Sequence, residues 1–377
     1  MNSHQRMQAA MSLGVPDRVP VMCQMSIGFM LLNLPVSPAE FWYDGHVFAE
    51  GLCELRARFG FDGVLVSLHG HAPDWRSKVH EISQDGENEL VHWRDGQETL
   101  HLRDELPRVV VPARCGSPAL RDIRTEDLPS RIDYIPVSQG LRFAIDQKHE
   151  LDIFALVRGR LGPSFSLHGE VTSPLDYYLD LVGHQEGLLG LVDFPEQAEL
   201  ILDHFAGIVS DLAVRMSHAG VDAIKISSPF AGAGFISRAF YRRFVLPFEK
   251  RVATAIRGTG VHAYTHTCGA IGDRLDLLLE AGVSGLECLD PPPLGNVELA
   301  GAKRLMQGRG FIKGNIDSVH VLLEGTDDEV GRDVRERLLV GKEGGGFILS
   351  TACSVAPRVP PERLSALSAL AEKWGVC

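Results

Sequence analysis

Two kinds of pattern alternate along the chain. Short, mostly apolar runs recur: PVMCQM (20–25), DGVLVS (62–67), IFALVRG (153–159), DAIKIS (222–227), HAYTH (262–266), GLEC (285–288), FIKGN (311–315) and FILST (347–351). Runs that are apolar on both faces suit strands covered by helices, as in a parallel sheet. Between them lie stretches such as PEQAELILDHFAGIVSDLAVRMSHAG and DDEVGRDVRERLLVG, with apolar positions at helical spacing. Several helical stretches end in glycine just before a run, as in MSHAGVDAIKIS, LLEAGVSGLEC and KEGGGFILS. Glycine takes the left-handed position past a helix end without steric cost, so these are helix-to-strand joints. Eight strands alternating with helices predict an α/β fold, a (β/α)8 TIM barrel. The alternative, a doubly wound sheet, normally carries a glycine-rich phosphate loop after its first strand, and PVMCQMSIGFML is no such loop.

One stretch breaks the alternation. From about 70 to 150, polar and apolar residues alternate around Asp-Gly pairs, as in VHEISQDGENELVHWRDGQETLHLRDELPRVVV. Asp-Gly between alternating segments signals hairpins. We therefore expect a single barrel over residues 1–377 with a β-hairpin-rich insertion at 70–150, after the second strand and over the barrel mouth.

Composition narrows the function. Hydrophobic residues make up 45% of the 377, enough for a sizeable core. Lysine and arginine total 37 against 49 acids, a net charge of −12 with no basic run. That makes the chain a poor candidate for binding nucleic acid or anionic membranes. No run approaches the length of a membrane span, and the N-terminal MNSHQRMQAAMSLG reads as a helix without a signal core. The expectation is a cytoplasmic protein. Seven scattered cysteines, an odd number, argue against a disulfide framework.

Candidate chemistry gathers where the late runs end. His266 and Cys268, in HAYTHTCG, close the fifth run. Glu287 closes the sixth, in GLECLDPPP, and Cys353 follows the eighth, in FILSTACSVAP. Barrel active sites are built at the C-terminal ends of strands. Two thiolates, an imidazole and a carboxylate form a zinc set, whereas magnesium and calcium prefer oxygen. Each residue also has a plainer reading: His266 as an acid/base without metal, Cys353 as a small buried residue, Glu287 as half of a salt bridge. Cys288 alternates with Glu287 and should point to the other side of its strand, into the core.

At these residues the chain resembles the uroporphyrinogen decarboxylase superfamily. Within it, the likeness is to the zinc methyltransferase branch typified by methylcobamide:coenzyme M methyltransferases. It runs from MQAAMSLGVPDRVPVM through GVDAIKISSPFAGAGFISRAFYRRFVLPFEKRV. It is strongest from THTCG through LECLDPPPLGNVELAGAKR, IKGNIDSVHVLLEGT and GGGFILSTACSVAPRVPPERLSAL. The decarboxylase branch carries an arginine-rich loop after the first strand, an aspartate after the second and Gly-His-Gly after the last. Here those places read CQMSIGFML, VSLHGH and ACSV. A porphyrinogen with four carboxylates needs cationic clamps, so a porphyrin-type decarboxylase is the weaker reading.

The resemblance implies zinc held by His266, Cys268 and Cys353, with Glu287 in the fourth position at rest and a substrate thiol there in action. It implies methyl transfer to or from a corrinoid (cobalamin) carried on a separate protein in trans, and possible pairing of barrels as a homodimer. Some related enzymes act on methoxylated or methylated amine donors. In such a mouth His69 and His71, after the second run, would serve as acid/base groups. Asn315 and Asp317, in GNID, would orient ligands or cap the next helix. A third reading is a non-catalytic barrel with structural zinc.

Overall fold

The computed structural model describes residues 1–111, 120–138 and 140–377. Residues 112–119 and 139, within the 70–150 stretch, lie outside the described residues. Seven strands form one parallel sheet: Gly63–Val66, Ser166–Thr172, Ala223–Ser227, His262–Thr267, Gly285–Cys288, Phe311–Ile316 and Phe347–Thr351, adjacent in chain order. The first run, 20–25, hydrogen-bonds to both edges of that sheet. Met22 N donates to the Leu349 carbonyl at 3.0 Å and Leu349 N to the Pro20 carbonyl at 2.8 Å. On the other side Asp62 N donates to the Val21 carbonyl at 2.8 Å. The segment is thus an irregular eighth rung closing the (β/α)8 ring.

The third run is corrected. Residues 153–159 belong to the helix Asp152–Leu161, and the strand is Ser166–Thr172. Ile153, Phe154, Val157 and Leu161 are the buried positions of that segment, a helical and not a two-residue period. The true strand, SLHGEVT, lacks an apolar look because its inward positions are polar. His168 bonds the Tyr264 hydroxyl at 3.0 Å, and Glu170 meets Lys225 at 3.0 Å.

The remaining joints form as their residues dictate. Gly220, Gly282 and Gly346 follow their helices with φ of 85°, 79° and 66°. In the 70–150 stretch, Val79–Asp85, Asn88–Trp93, Glu98–His101 and Arg108–Val111 form an antiparallel sheet. The Asp-Gly pairs at 85–86 and 95–96 sit at its first two turns, with positive φ at each glycine. Tyr134–Ser138 and Leu141–Ala144 form a separate hairpin.

One end of the ring is plugged. Met7, Ala10 and Met11 of the helix Ser3–Met11 pack on inward residues Met22, Leu65, Ala223, Tyr264, Phe311 and Ile348. Arg6 of that helix and Arg18 both bind Asp62, which is fully buried. The DRVP segment thereby ties the plug to the ring. The opposite end, where the strands finish, is left for chemistry. Among the described residues no helix is long and apolar enough to cross a membrane, and the six cysteines are free thiols.

Candidate metal centre

His266 lies near the end of the strand His262–Thr267, and Cys268 follows one step beyond it. Gly269 then turns the chain with a φ of 75°. Cys353 follows the last strand, Phe347–Thr351. The fold brings these three together. His266 Nε2 is 3.1 Å from Cys268 Sγ and 4.0 Å from Cys353 Sγ, and the two sulfurs are 3.6 Å apart. Ligands bound tetrahedrally at roughly 2.0–2.3 Å stand roughly 3.3–3.8 Å from one another. The donor set and its spacing therefore fit zinc.

The structure places Glu287 on the far side of the imidazole from the thiols. Its carboxylate stands behind the imidazole, 3.0 Å from Nδ1, while the thiols face Nε2. Nδ1–H donates to the carboxylate, which directs Nε2 at the sulfurs. A carboxylate in this position orients a ligating histidine and raises its basicity. Glu287 is itself clamped by two buried amines, Lys313 Nζ in direct contact and Lys225 Nζ at 3.7 Å. Burial pushes its carboxyl upward, but Lys313, Lys225 and His266 outweigh this and hold its pKa well below the usual range.

Proton occupancy follows the same geometry. Burial opposes a charge on His266, but Cys268, Cys353 and Glu287 overcome it and hold its pKa well above that of free imidazole. Hydrogen bonds from Cys268, then Cys288, then His266 hold the Cys353 thiol well below its ordinary value. The trio thus carries a thiolate–imidazolium pair whose proton a metal ion would displace.

Cys268 and Cys353 open on a cavity of about 440 Å³. Gln24, Glu170, Asp176, Asp180 and Phe230 also line it, with residues 135–138 of the 134–144 hairpin as one wall. No lysine or arginine lines it among the described residues. Burial and Glu249 raise the Asp176 carboxyl to about 8, against a hydrogen bond that the Ser173 hydroxyl donates to it, so it is protonated near neutral pH.

The other candidate residues are elsewhere. His69 is buried, donates from Nδ1 to the Glu150 carbonyl at 3.1 Å and has its pKa lowered by burial to about 4. His71 packs against Phe48 and Phe143 with both ring nitrogens unpartnered, and burial lowers it to about 3. Neither lines the cavity, because the chain turns both rings into the surrounding core. Asn315 donates from Nδ2 to the Leu289 carbonyl at 2.9 Å, so it braces the turn after the Glu287 strand. Asp317 caps its own turn, accepting from Val319 N and His320 N at 2.8 and 2.9 Å. Neither faces the cavity.

Three residues escaped sequence reasoning. Lys225 and Lys313 sit in the middle of buried strands, and a lysine inside an apolar run was their signal. Cys288 was read as core, pointing away from the ring. Its φ of 84° and that of 57° at Leu289 break the pleat, so alternation no longer sets its direction. Its thiol lies beside Asp290 and near Cys268.

Comparison with known proteins agrees with this architecture. The methylcobamide:CoM methyltransferase MtaA of Methanosarcina barkeri (strain Fusaro / DSM 804) is 26% identical over 224 residues, 59% of this chain and 63% of that protein. A uroporphyrinogen decarboxylase of Syntrophotalea carbinolica is 31% identical over 175 residues, 46% of this chain and 48% of that protein. The chain thus spans less than two thirds of these curated relatives. The solved structure of a methyltransferase from Methanosarcina mazei superposes with a TM-score of 0.75 at 20% identity, covering 99% of both chains, which establishes the shared fold. Residues 129–374, including His266, Cys268, Glu287 and Cys353, match the family description Uroporphyrinogen decarboxylase (URO-D). With that match over more than half of its length and a barrel of the same fold, the chain belongs to the uroporphyrinogen decarboxylase family.

Proposed function

We propose that this protein is a zinc-dependent methyltransferase. It activates a thiol, or another methyl acceptor or donor, for methyl transfer to or from a corrinoid. The observation that carries the reading is the trio His266, Cys268 and Cys353, at bonding separation and facing an open cavity. A zinc ion there would deprotonate a bound thiol and leave it nucleophilic. The chain's own residues do the rest. Glu287 holds the imidazole in one tautomer, and Lys225 and Lys313 hold Glu287. Protonated Asp176 offers a hydrogen bond to whatever fills the cavity. The corrinoid arrives on a separate protein, the location is the cytoplasm, and barrels pair as homodimers in this reading.

The lining disfavours a porphyrin-type decarboxylase. Four substrate carboxylates need cationic partners, and the described lining holds carboxylates instead. A purely structural zinc would be shut away from solvent, whereas Cys268 and Cys353 line the cavity.

The test is metal content and reactivity. Purified wild type should hold zinc, and His266→Ala and Cys353→Ser should lose it. With methylcobalamin and a panel of thiols, wild type should bleach the cobalt–carbon absorbance. Full zinc retention in both variants would overturn the proposal.

A further inference from the structure

We infer that the substrate of this cavity is a small thiol that also carries a cationic ammonium group, received by Asp176 and Phe230. The inference rests on the zinc methyltransferase reading and names the substrate class of that same site.

The charge of the cavity wall points this way. Glu105, Glu170, Asp176 and Asp180 line it, and among the described residues no lysine or arginine does. Three of these acids are matched by cations from outside the lining. Glu170 meets Lys225 at 3.0 Å, Asp180 meets Arg142 at 2.7 Å, and Glu105 meets Arg108 at 2.5 Å. Asp176 differs. Its residue is only 6% exposed, and its carboxyl accepts from the Ser173 hydroxyl at 2.5 Å. Among the described residues no cation pairs with it.

The fold sets an aromatic ring beside this carboxyl. The helix Pro174–Val182 carries Asp176 and packs on the turn Pro229–Ala231, which carries Phe230. Phe230 is half-buried and also lines the cavity. His184 and Phe235 hold it in edge contacts, with ring centres 4.5 and 5.0 Å away. An aromatic face attracts a cation, and a carboxylate next to it supplies the opposite charge. An anionic thiol meets the reverse, a wall of carboxyl groups with no cation of its own to bind a sulfonate or carboxylate. Burial raises the Asp176 carboxyl to about 8, with Ser173 opposing and Glu249 adding to the rise. The empty cavity therefore holds that carboxyl neutral at pH 7. A bound ammonium favours its charged form and releases the proton to solvent.

The transfer balances. The thiol gives up its proton on binding at the centre. Its sulfur then bonds to the methyl carbon of the methylcorrinoid as the cobalt–carbon bond breaks. The electron pair of that bond stays on cobalt, which is reduced from the +3 to the +1 state. The ammonium is unchanged throughout.

The test follows the cobalt–carbon absorbance of methylcobalamin at pH 7 with three thiols on one two-carbon stem: 2-aminoethanethiol, 2-mercaptoethanol and 2-mercaptoethanesulfonate. Wild type should favour the ammonium thiol over the sulfonate by about 10–100-fold in kcat/KM, with the neutral thiol between. In Asp176→Asn, which keeps the shape and cannot ionise, that preference should fall about tenfold, through KM. In Phe230→Leu it should fall about 2–5-fold. Equal use of the ammonium and sulfonate thiols by wild type, or a preference unchanged in both variants, would overturn this inference alone. Wild type that bleaches methylcobalamin with none of the three would overturn the methyltransferase reading first.

Discussion

Glu287 meets His266 at 3.0 Å through Nδ1, behind the ring and away from the thiols. The carboxylate therefore acts on the centre through the imidazole. Replacing Glu287 by Gln keeps the shape and removes the charge, and metal affinity should fall about 10–100-fold. Glu287→Ala should in addition destabilise the fold by about 3–5 kcal/mol, because Lys225 and Lys313 lose their buried counter-charge. Competitive chelator titration reads the first effect and urea unfolding the second. Unchanged affinity in the Gln variant would contradict the orienting role.

Asp62 should be as sensitive at the other end of the barrel. It accepts from Arg6 at 2.8 Å, Arg18 at 2.9 Å and Val21 N at 2.8 Å. Asp62→Ala should cost about 3 kcal/mol or more, since removing one member of a buried ion pair strands its partners. Arg18→Ala, with Arg6 still in place, should cost less. Equal urea midpoints for Asp62→Ala and wild type would refute this.

His71 sets an acid limit. Burial, then His69, lowers its pKa to about 3 from the ordinary 6.5. Its contribution is fully present above 6.5 and is lost as pH falls toward 3, because the unfolded chain takes the proton first. Wild type should lose about 1.4 kcal/mol per pH unit in that window from this group alone. His71→Leu should flatten the profile. Parallel unfolding profiles for the two proteins between pH 7 and 4 would rule it out.

Asp176 has the opposite sign. Its folded pKa is raised to about 8 from 3.8. Its contribution is fully present below 3.8 and is lost as pH rises through 8. Asp176→Asn, which cannot ionise, should gain on wild type as pH rises from 4 to 8. Thermal melts at pH 5 and pH 9 check this, and a gap that does not widen would count against it.

The sequence by itself determined what depends on neighbours in the chain. Glycines past helix ends marked Gly220, Gly282 and Gly346 because only glycine takes that conformation freely. Asp-Gly marked the two hairpin turns for the same reason. His266, Cys268 and Cys353 were legible as a set because each stands just past a strand end, and a barrel gathers such ends at one mouth.

Tertiary structure decided the rest. The strand Ser166–Thr172 was hidden because its polar inward residues find partners only across the ring, on Tyr264 and Lys225. Glu287 became a support for His266 because two lysines from other strands pull its carboxylate behind the ring. Cys288 left the pleat through two successive positive φ angles, its own and that of Leu289, that no periodicity encodes. In each case the deciding energy lies in side chains distant in sequence, so the order of residues names the participants and only the folded chain assigns their places.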